Sequence, residues 1–215
     1  MIYTYPEPTE PIRQGDLYQC VPRIQVILGS DYLPEILETV EGGSRAIEWM
    51  QFQQSEEPVL ANVFIRSVTG IVITQDCDTL RAENIAMCEV RPFSSVEKWF
   101  TETTKPKKFL DIVTRHARVN QKWYYLPPDT RLGFIKKMGA DFTSVFEVPR
   151  EMLESHREDL RLGRLNDDVA CPHFRERVAE FFRRYPYNEW YPLTKEETDL
   201  YESDKGCVER YSWQM

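Results

Sequence analysis

Short apolar segments, separated by proline, glycine and polar residues, follow one another along residues 1–90. Alternation of apolar and polar side chains within most of them predicts β-strands. Residues 70–74 (GIVIT) are apolar on both faces and rich in β-branched side chains, which is typical of a central strand. Strands at such short intervals favour a small barrel or curled sheet. The predicted strands cover residues 15–20, 24–28, 46–52, 60–68, 70–74 and 85–90.

Helical signals appear once before residue 90 and dominate the chain after it. Residues 30–40 fit a short helix, because Pro34 would stand in its first turn and Gly42 follows its end. Ser94 and Glu97 have the spacing of a capping box, which predicts a helix start. Further helices are predicted over residues 110–119 and after Pro149, with strands at 123–126, 132–135 and 145–148.

A last predicted helix ends before Pro186, and its apolar residues fall on one helical face. They are Phe174, Val178, Phe181, Phe182 and Tyr185. Because strands come first and helices later, the sequence predicts an α+β fold. We expect a β-rich, barrel-like part over residues 1–104 and a mainly helical extension over 105–215, packed together as one compact unit.

The composition is that of an ordinary globular protein. Of the 215 residues, 41% are hydrophobic and 29% charged, which is enough apolar material for a core. No apolar run approaches the roughly 20 residues of a membrane-spanning helix, and no secretory signal is visible. Five widely spaced cysteines, without a CxxC pair, are typical of a reducing compartment. The sequence therefore predicts a cytoplasmic protein with no membrane contact.

Charge is unevenly distributed along the chain. The net charge is −8, but residues 105–137 carry +7, whereas the segments before and after them carry −9 and −6. The acidic total argues against general nucleic-acid binding. Cations interleaved with aromatic rings suit binding to another protein, to a second copy of this chain or to single-stranded nucleic acid. The alternative is that this positive segment balances negative charge within the folded protein. The candidate binding residues are Lys105, Lys107, Lys108, Arg115, Arg118, Lys122 and Trp123.

Five polar residues, 75–79 (QDCDT), directly follow the predicted central strand. In an extended segment Asp76 and Asp78 would share one face. Two neighbouring carboxylates can hold a divalent cation or act as acid and base. The alternative is a local turn at Asp78 and Thr79, with Asp76 paired to an arginine. Beyond this candidate cation site the sequence predicts no cofactor.

A nuclease hypothesis joins these aspartates to Glu89 on the next strand. Metal-dependent nucleases of the restriction type combine an aspartate with a Glu-x-Lys strand, so that two carboxylates hold Mg²⁺. Here Arg91 stands where the lysine is expected. Arginine does not give up its proton, so Arg91 could act only as an electrostatic clamp. Alternatively, Glu89 and Arg91 are solvent-facing partners in a hairpin.

Three short motifs resemble the MazF/PemK-like toxin barrel. They are residues 15–18 (GDLY), 70–74 (GIVIT) and 90–94 (VRPFS), within a match of roughly residues 13–95. The resemblance implies an SH3-like barrel. It also implies a ribonuclease in which an arginine and a hydroxyl residue polarise the phosphate, and the nearest positions are Arg66 with Ser94 or Ser95.

A second set of motifs resembles a family of uncharacterised bacterial proteins of mobile or phage-defence loci. This resemblance spans most of the chain and implies a bacterial or phage origin more than an activity. The motifs are residues 70–79, 123–128, 141–149 and 164–183.

Two classes of function remain open. The leading expectation is a non-catalytic binding or regulatory component of a bacterial defence or toxin–antitoxin-like system. It would contact another protein through residues 105–137 and the aromatic C-terminal segment, residues 187–215. It follows from the charge layout and from the lack of Ser-His-Asp, Cys-His and phosphate-loop signatures. The alternative is a nuclease, either MazF-like with Arg66 or metal-dependent through Asp76, Asp78 and Glu89.

Overall fold

The computed structural model describes residues 2–25, 36–40, 43–47, 61–62, 64–119 and 122–183. The strands are β1 Tyr3–Thr4, β2 Asp16–Gln25, β3 Ile36–Val40, β4 Gly43–Ile47, β5 Ala61–Asn62, β6 Phe64–Val72, β7 Asn84–Pro92, β8 Trp123–Leu126, β9 Met138–Pro149 and β10 Arg161–Leu165. The helices are α1 Asp76–Thr79, α2 Phe93–Val96, α3 Pro106–Val119, α4 Arg150–Ser155, α5 Arg157–Leu160 and α6 Ala170–Phe182.

Seven strands form one antiparallel sheet in the spatial order β1-β10-β2-β6-β7-β9-β8. β1 and β8 lie at its edges, so these strands form an open sheet that is not closed into a barrel. β4, β3 and β5 form a separate antiparallel sheet. The predicted α+β class is therefore confirmed. Two forms of the sheet were expected, a small barrel or a curled sheet, and the large sheet is not a closed barrel.

The large sheet combines strands from both predicted parts of the chain. β1, β2, β6 and β7 precede residue 104, whereas β8, β9 and β10 follow it. β10 lies between β1 and β2, and β9 lies between β7 and β8. The chain after residue 104 thus contributes three strands as well as helices, and the sheet crosses the boundary that the sequence indicated.

Side chains alternate across the large sheet, and each face has its own core. On the α6 face, Leu17 and Ile71 pack with Phe174 of α6. On the α4 face, Tyr18 packs with Leu153 of α4. All five side chains are buried, so helices cover both faces of the central strands.

The Asp16 carboxylate is buried between β2 and β10. It is 0% exposed, it pairs with the guanidinium groups of Arg161 and Arg164, and the Arg13 backbone N–H donates to it at 3.1 Å. Burial of a carboxylate is unfavourable unless such donors surround it. Gly15 before it has a φ of +90°, a conformation that favours glycine. The Gly15-Asp16 motif therefore has a structural role, since it holds β10 on β2.

Residues 64–68 and 70–72, from two separately predicted strands, belong to one strand, β6, which continues through Gly70 without a break, whereas residues 61–62 form β5. A Cβ atom at Gly70 would lie 2.9 Å from the Met87 terminal methyl and 3.2 Å from the Phe146 ring. The glycine therefore marks the close approach of side chains from β7 and β9, not the end of a strand.

Three local predictions are wrong. Residues 36–40 form β3, paired with β4, where a helix was predicted, while residues 30–35 lie outside the described residues. Residues 132–135 belong to a turn closed by a bridge between Asp129 and Phe134, not to a strand. α2 starts at Phe93 and no side chain caps it, so the predicted capping box does not form. Strand pairing and tertiary contacts override the local signals here.

Candidate functional site

After β6 the chain forms a single helical turn and does not stay extended. The backbone N–H groups of Asp78 and Thr79 donate to the Gln75 carbonyl at 2.9 and 3.0 Å. The buried Thr79 hydroxyl donates to the Ile12 carbonyl at 2.9 Å and anchors this turn, α1. Asp and Thr favour such turns because their side chains bond to nearby backbone. The shared face predicted for Asp76 and Asp78 on an extended segment is therefore wrong.

The two aspartates have different partners. Asp76 accepts a hydrogen bond from the Gln14 backbone N–H at 2.8 Å and pairs with Arg175 of α6. Asp78 is exposed and lies 3.4 Å from Arg81. This is the arrangement of the alternative interpretation, a local turn with Asp76 paired to an arginine. Within the described residues, no group of three or more His, Cys, Asp or Glu side chains is placed to hold a metal ion.

Glu89 lies on the other face of the sheet from Asp76. Along β7, Ala86 borders the cavity beside Asp76 and packs toward the α6 face, whereas Met87 and Glu89 point to the α4 face. Residues 86 and 89 are also about 10 Å apart along an extended strand. The structure therefore does not assemble Asp76, Asp78 and Glu89 around one cation, as the metal-dependent nuclease hypothesis requires.

Arg66 and Glu89, by contrast, meet on the α4 face. The Glu89 side chain is 3% exposed, and Nη2 of Arg66 lies 2.9 Å from its Oε2. Arg23 pairs with the same oxygen and also lies 5.8 Å from the centroid of the Phe146 ring. Arg23 and Arg66 are direct cross-strand partners on β2 and β6. Two guanidinium groups on one carboxylate leave an excess of positive charge here.

A second buried carboxylate lies beside this pair. Asp141 of β9 is the cross-strand partner of Glu89. It pairs with Arg91 and accepts hydrogen bonds from the Thr143 backbone N–H at 3.0 Å and hydroxyl at 2.6 Å. Like charges directly opposite in a sheet are unfavourable, and the surrounding arginines offset them. We call this group the arginine–carboxylate cluster; it comprises Arg23, Arg66, Glu89, Arg91 and Asp141.

The hydroxyl residues expected beside Arg66 are in α2. Ser94 is half-buried and Ser95 is exposed. None of the contacts among the described residues joins either serine to Arg66, whose hydrogen bond goes to Glu89. The Arg66 side chain is 50% exposed, so a ligand in solvent can reach its guanidinium group.

The basic segment presents three of its predicted lysines to solvent. Lys105, Lys107 and Lys108 are exposed at the start of α3. The side chains of Arg115 and Arg118, further along α3, lie outside the described residues. The segment therefore supplies an exposed positive charge at the beginning of the helix.

The other two predicted binding residues make contacts within the protein. Trp123 is 1% exposed, and its indole N–H donates to Glu97 at 3.2 Å. The Lys122 ammonium group lies 3.7 Å from the same carboxylate. The Trp123 ring therefore packs inside the protein and is not presented to a ligand.

Exposed apolar side chains lie among the lysines. The rings of Phe100 and Phe109 contact each other at 5.3 Å between centroids, which brings their neighbours Trp99 and Leu110 into the same region. The Lys137 ammonium group lies 4.7 Å from the Phe109 ring centroid, so residues 135–137 join this region. The resulting lysine–apolar surface comprises Lys98, Trp99, Lys105, Lys107, Lys108, Leu110, Ile135, Lys136 and Lys137.

A cavity of about 640 Å³, here called the strand-end pocket, opens where β6 ends against α6. Side chains of both kinds border it. The apolar residues are Ile73, Ala86, Val178, Ala179 and Phe182, and the polar residues are Gln14, Thr74, Gln75, Asp76, Cys77 and Arg175.

No protein-family model matches the chain, and no match is found among the curated proteins. Within the part of the chain that the structure describes, no helix is both long and apolar enough to cross a membrane. The two family resemblances seen in the sequence therefore stay predictions.

Proposed function

We propose that this protein is a non-catalytic binding component that recognises an acidic protein partner through the lysine–apolar surface. The observation that carries the proposal is the exposure of Trp99, Leu110 and Ile135, at 83%, 61% and 82%, among six lysines. Large exposed apolar side chains grouped in one region are typical of interaction sites. The family resemblances suggest the setting, a bacterial defence or toxin–antitoxin-like system.

The charge of this surface favours an acidic partner. Residues 98–111 carry two exposed carboxylates, Glu102 and Asp111, which the surrounding lysines outnumber. Glu97 does not reduce the exposed charge, because its side chain is 11% exposed and binds Lys122 and Trp123. Complementary charge would speed association, and the apolar side chains would then stabilise the complex.

A protein partner fits this surface better than single-stranded nucleic acid. Nucleic-acid binding of that kind needs aromatic rings that stack on bases beside the cations. Trp123 and Tyr124 are only 1% and 6% exposed, so Trp99, at 83%, is the one aromatic ring that the residues of this surface present to solvent. Leu110 and Ile135 are aliphatic, so they offer contact area to apolar side chains but no ring to a base.

Affinity capture with matched variants tests this proposal. Leu110→Ala removes an apolar side chain that is 61% exposed on the surface, and Leu80→Ala removes one that is 62% exposed elsewhere. Lys108→Glu and Arg81→Glu form a second matched pair. We expect the first member of each pair to lose the captured protein and the second to retain it. The purified partner should be acidic, and its binding should weaken as salt rises.

Equal capture by both members of a pair would place the binding site elsewhere. Co-purification of RNA that only the surface variants lose would favour the nucleic-acid alternative instead.

One observation favours a second candidate, a metal-independent ribonuclease of the MazF-like type. Arg66, which that resemblance singles out, lies 2.9 Å from the buried Glu89 carboxylate and is half-exposed. A carboxylate and arginines suffice for cleavage without a metal. The specific SH3-like or MazF/PemK-like fold is part of this proposal. The described strands themselves form an open sheet.

The chemistry of this candidate is an attack of the RNA 2′-oxygen on phosphorus, which breaks the bond to O5′. Glu89 takes the proton of the 2′-hydroxyl group, and water supplies a proton to O5′. Arg66 and Arg23 would stabilise the negative charge of the transition state. The products are a 2′,3′-cyclic phosphate and a free 5′-hydroxyl group.

Incubation of RNA with the protein in EDTA tests this activity. Arg66→Ala should abolish cleavage, whereas Arg81→Ala, at an exposed arginine outside the cluster, should not. Intact RNA with the unmodified protein, or cleavage that Arg66→Ala leaves unchanged, would contradict this candidate.

A further inference from the structure

The strand-end pocket has the size and the composition of a small-molecule site. Its volume of about 640 Å³ lies within the range of known ligand pockets. Val178 and Phe182 of α6 form part of an apolar wall, and the polar residues Gln14, Asp76 and Arg175 lie together at one side. Ligand pockets commonly combine a mainly apolar lining with a few fixed polar groups.

The charges at this pocket balance. Among its described lining residues, Asp76 and Arg175 carry the formal charges, and they pair with each other. Asp76 is further held by the Gln14 backbone N–H at 2.8 Å. A pocket with no net formal charge favours an uncharged ligand over a phosphate or a carboxylate.

Hydrogen-bonding groups remain available beside this ion pair. Arg175 uses one N–H of Nη2 for Asp76. No contact among the described residues uses the second Nη2 N–H, Nε or Nη1, so Nη2 can still donate side by side with one of the other two nitrogens. The Gln14 side chain belongs to a residue that is 5% exposed, and its Nε2 donates to the Ile73 carbonyl at 2.8 Å. This bond fixes the side-chain amide, and the described contacts leave its oxygen as an acceptor. Forked donors and an acceptor thus lie next to an apolar wall.

We propose that the strand-end pocket binds an uncharged nucleoside through the edge of its base. A base presents acceptors that match the Arg175 fork and N–H donors that match the Gln14 oxygen. Its flat, apolar faces suit the wall that Val178 and Phe182 provide. This site is separate from the lysine–apolar surface, so either proposal can fail without the other.

NMR titration or calorimetry of the full chain tests the proposal. The ligands are guanosine, adenosine, cytidine and uridine. We expect saturable binding of at least one nucleoside. Arg175→Lys keeps the charge and removes the fork, so it should weaken binding about tenfold. Arg183→Lys, at an exposed arginine just after the last residue of the same helix, should leave binding unchanged, and thermal unfolding should show both variants folded.

Two results would overturn the proposal. One is the absence of saturable binding for all four nucleosides. The other is tighter binding, by tenfold or more, of the corresponding 5′-monophosphate, because it would show that the pocket selects an anion.

Discussion

Asp16 and Asp78 are both paired with arginine, but burial makes the consequences of losing them different. Asp16→Asn removes the negative charge between Arg161 and Arg164, whose side chains are only 3% and 5% exposed. Two buried guanidinium groups are then left without their full counter-charge. We expect urea unfolding to show a loss of about 3–5 kcal/mol. Asp78→Asn breaks an exposed pair and should change stability by about 0.5 kcal/mol or less. Equal effects of the two substitutions would contradict a structural role for Asp16.

Burial also makes the described cysteines differ in reactivity. Cys20 and Cys77 are exposed, whereas Cys88 and Cys171 are buried. Burial raises the pKa of the Cys88 thiol, and Asp141 adds to this effect; burial also raises the pKa of Cys171. Because the thiolate is the reactive form, iodoacetamide at about pH 8 should modify Cys20 and Cys77 and spare the other two until the protein unfolds. Site-resolved mass spectrometry measures this, and early modification of Cys88 would contradict it.

At the scale of elements, β1 depends on a glycine in its neighbour. A Cβ atom at Gly163 of β10 would lie 2.9 Å from the Thr4 carbonyl oxygen and 2.7 Å from the Leu132 side chain. Because a backbone atom cannot move aside easily, Gly163→Ala should loosen β1 and cost about 1–3 kcal/mol.

Gly139→Ala is the matched control for this prediction. A Cβ atom there would lie 3.4 Å from Phe93 and from Val96, which is an ordinary contact. Hydrogen exchange at Tyr3 and Thr4 should speed up in Gly163→Ala and stay unchanged in Gly139→Ala. Unchanged exchange in both variants would show that β1 tolerates the added methyl group.

Elements with a strong local pattern were predictable from the sequence. Residues 85–90 lie within β7, and 123–126 are β8. The helix predicted over 110–119 is confirmed and starts earlier, at Pro106, a residue suited to a first helical position. α6 buries Phe174 and Val178 as its apolar stripe predicted, whereas Phe182 is 58% exposed at the pocket.

The candidate sites were only partly predictable, because strand register and turn geometry determine them. Arg23 and Asp141 join Glu89 through cross-strand pairing, and no spacing in the sequence signals that contact. Asp76 was identified as a strand-end residue, but its partner Arg175 lies 99 positions away. Helical closure at Gln75 then separates Asp76 from Asp78, although both follow the same strand.

At the scale of the whole molecule, the first residues of the chain are held by a distant turn. The Tyr3 hydroxyl donates to the Pro127 carbonyl at 2.8 Å, and the Tyr5 hydroxyl donates to Asp129 at 2.9 Å. The Arg131 guanidinium group lies 3.5 Å from the centroid of the Tyr5 ring. These contacts connect the start of the chain to the segment between β8 and β9.

This connection should weaken in acid. Partial burial acts to raise the pKa of Asp129, but hydrogen bonds from Tyr5 and from the Leu132 and Arg131 N–H groups outweigh it and lower that pKa. A lowered pKa contributes stability above the unfolded value, near 3.9, and this contribution is lost as pH falls through the folded value. Asp129→Asn should therefore be less stable than the unmodified protein at about pH 7, and the difference should shrink as the pH falls to about 2.

Urea unfolding at the two pH values measures this difference, with Asp168→Asn at an exposed position as the control. A deficit of Asp129→Asn that persists unchanged at low pH would show that its carboxylate charge is not the cause.

The position of β10 between β1 and β2 sets an order for assembly. During synthesis, residues 16–25 leave the ribosome long before residues 161–165, which they must pair with. Until then one edge of β2 stays open, Asp16 lacks both guanidinium partners, and β1 has no neighbour. Folding of the large sheet therefore cannot finish before residue 165 has left the ribosome, and a nascent chain that stalls before residue 161 carries an unpaired strand edge open to aggregation.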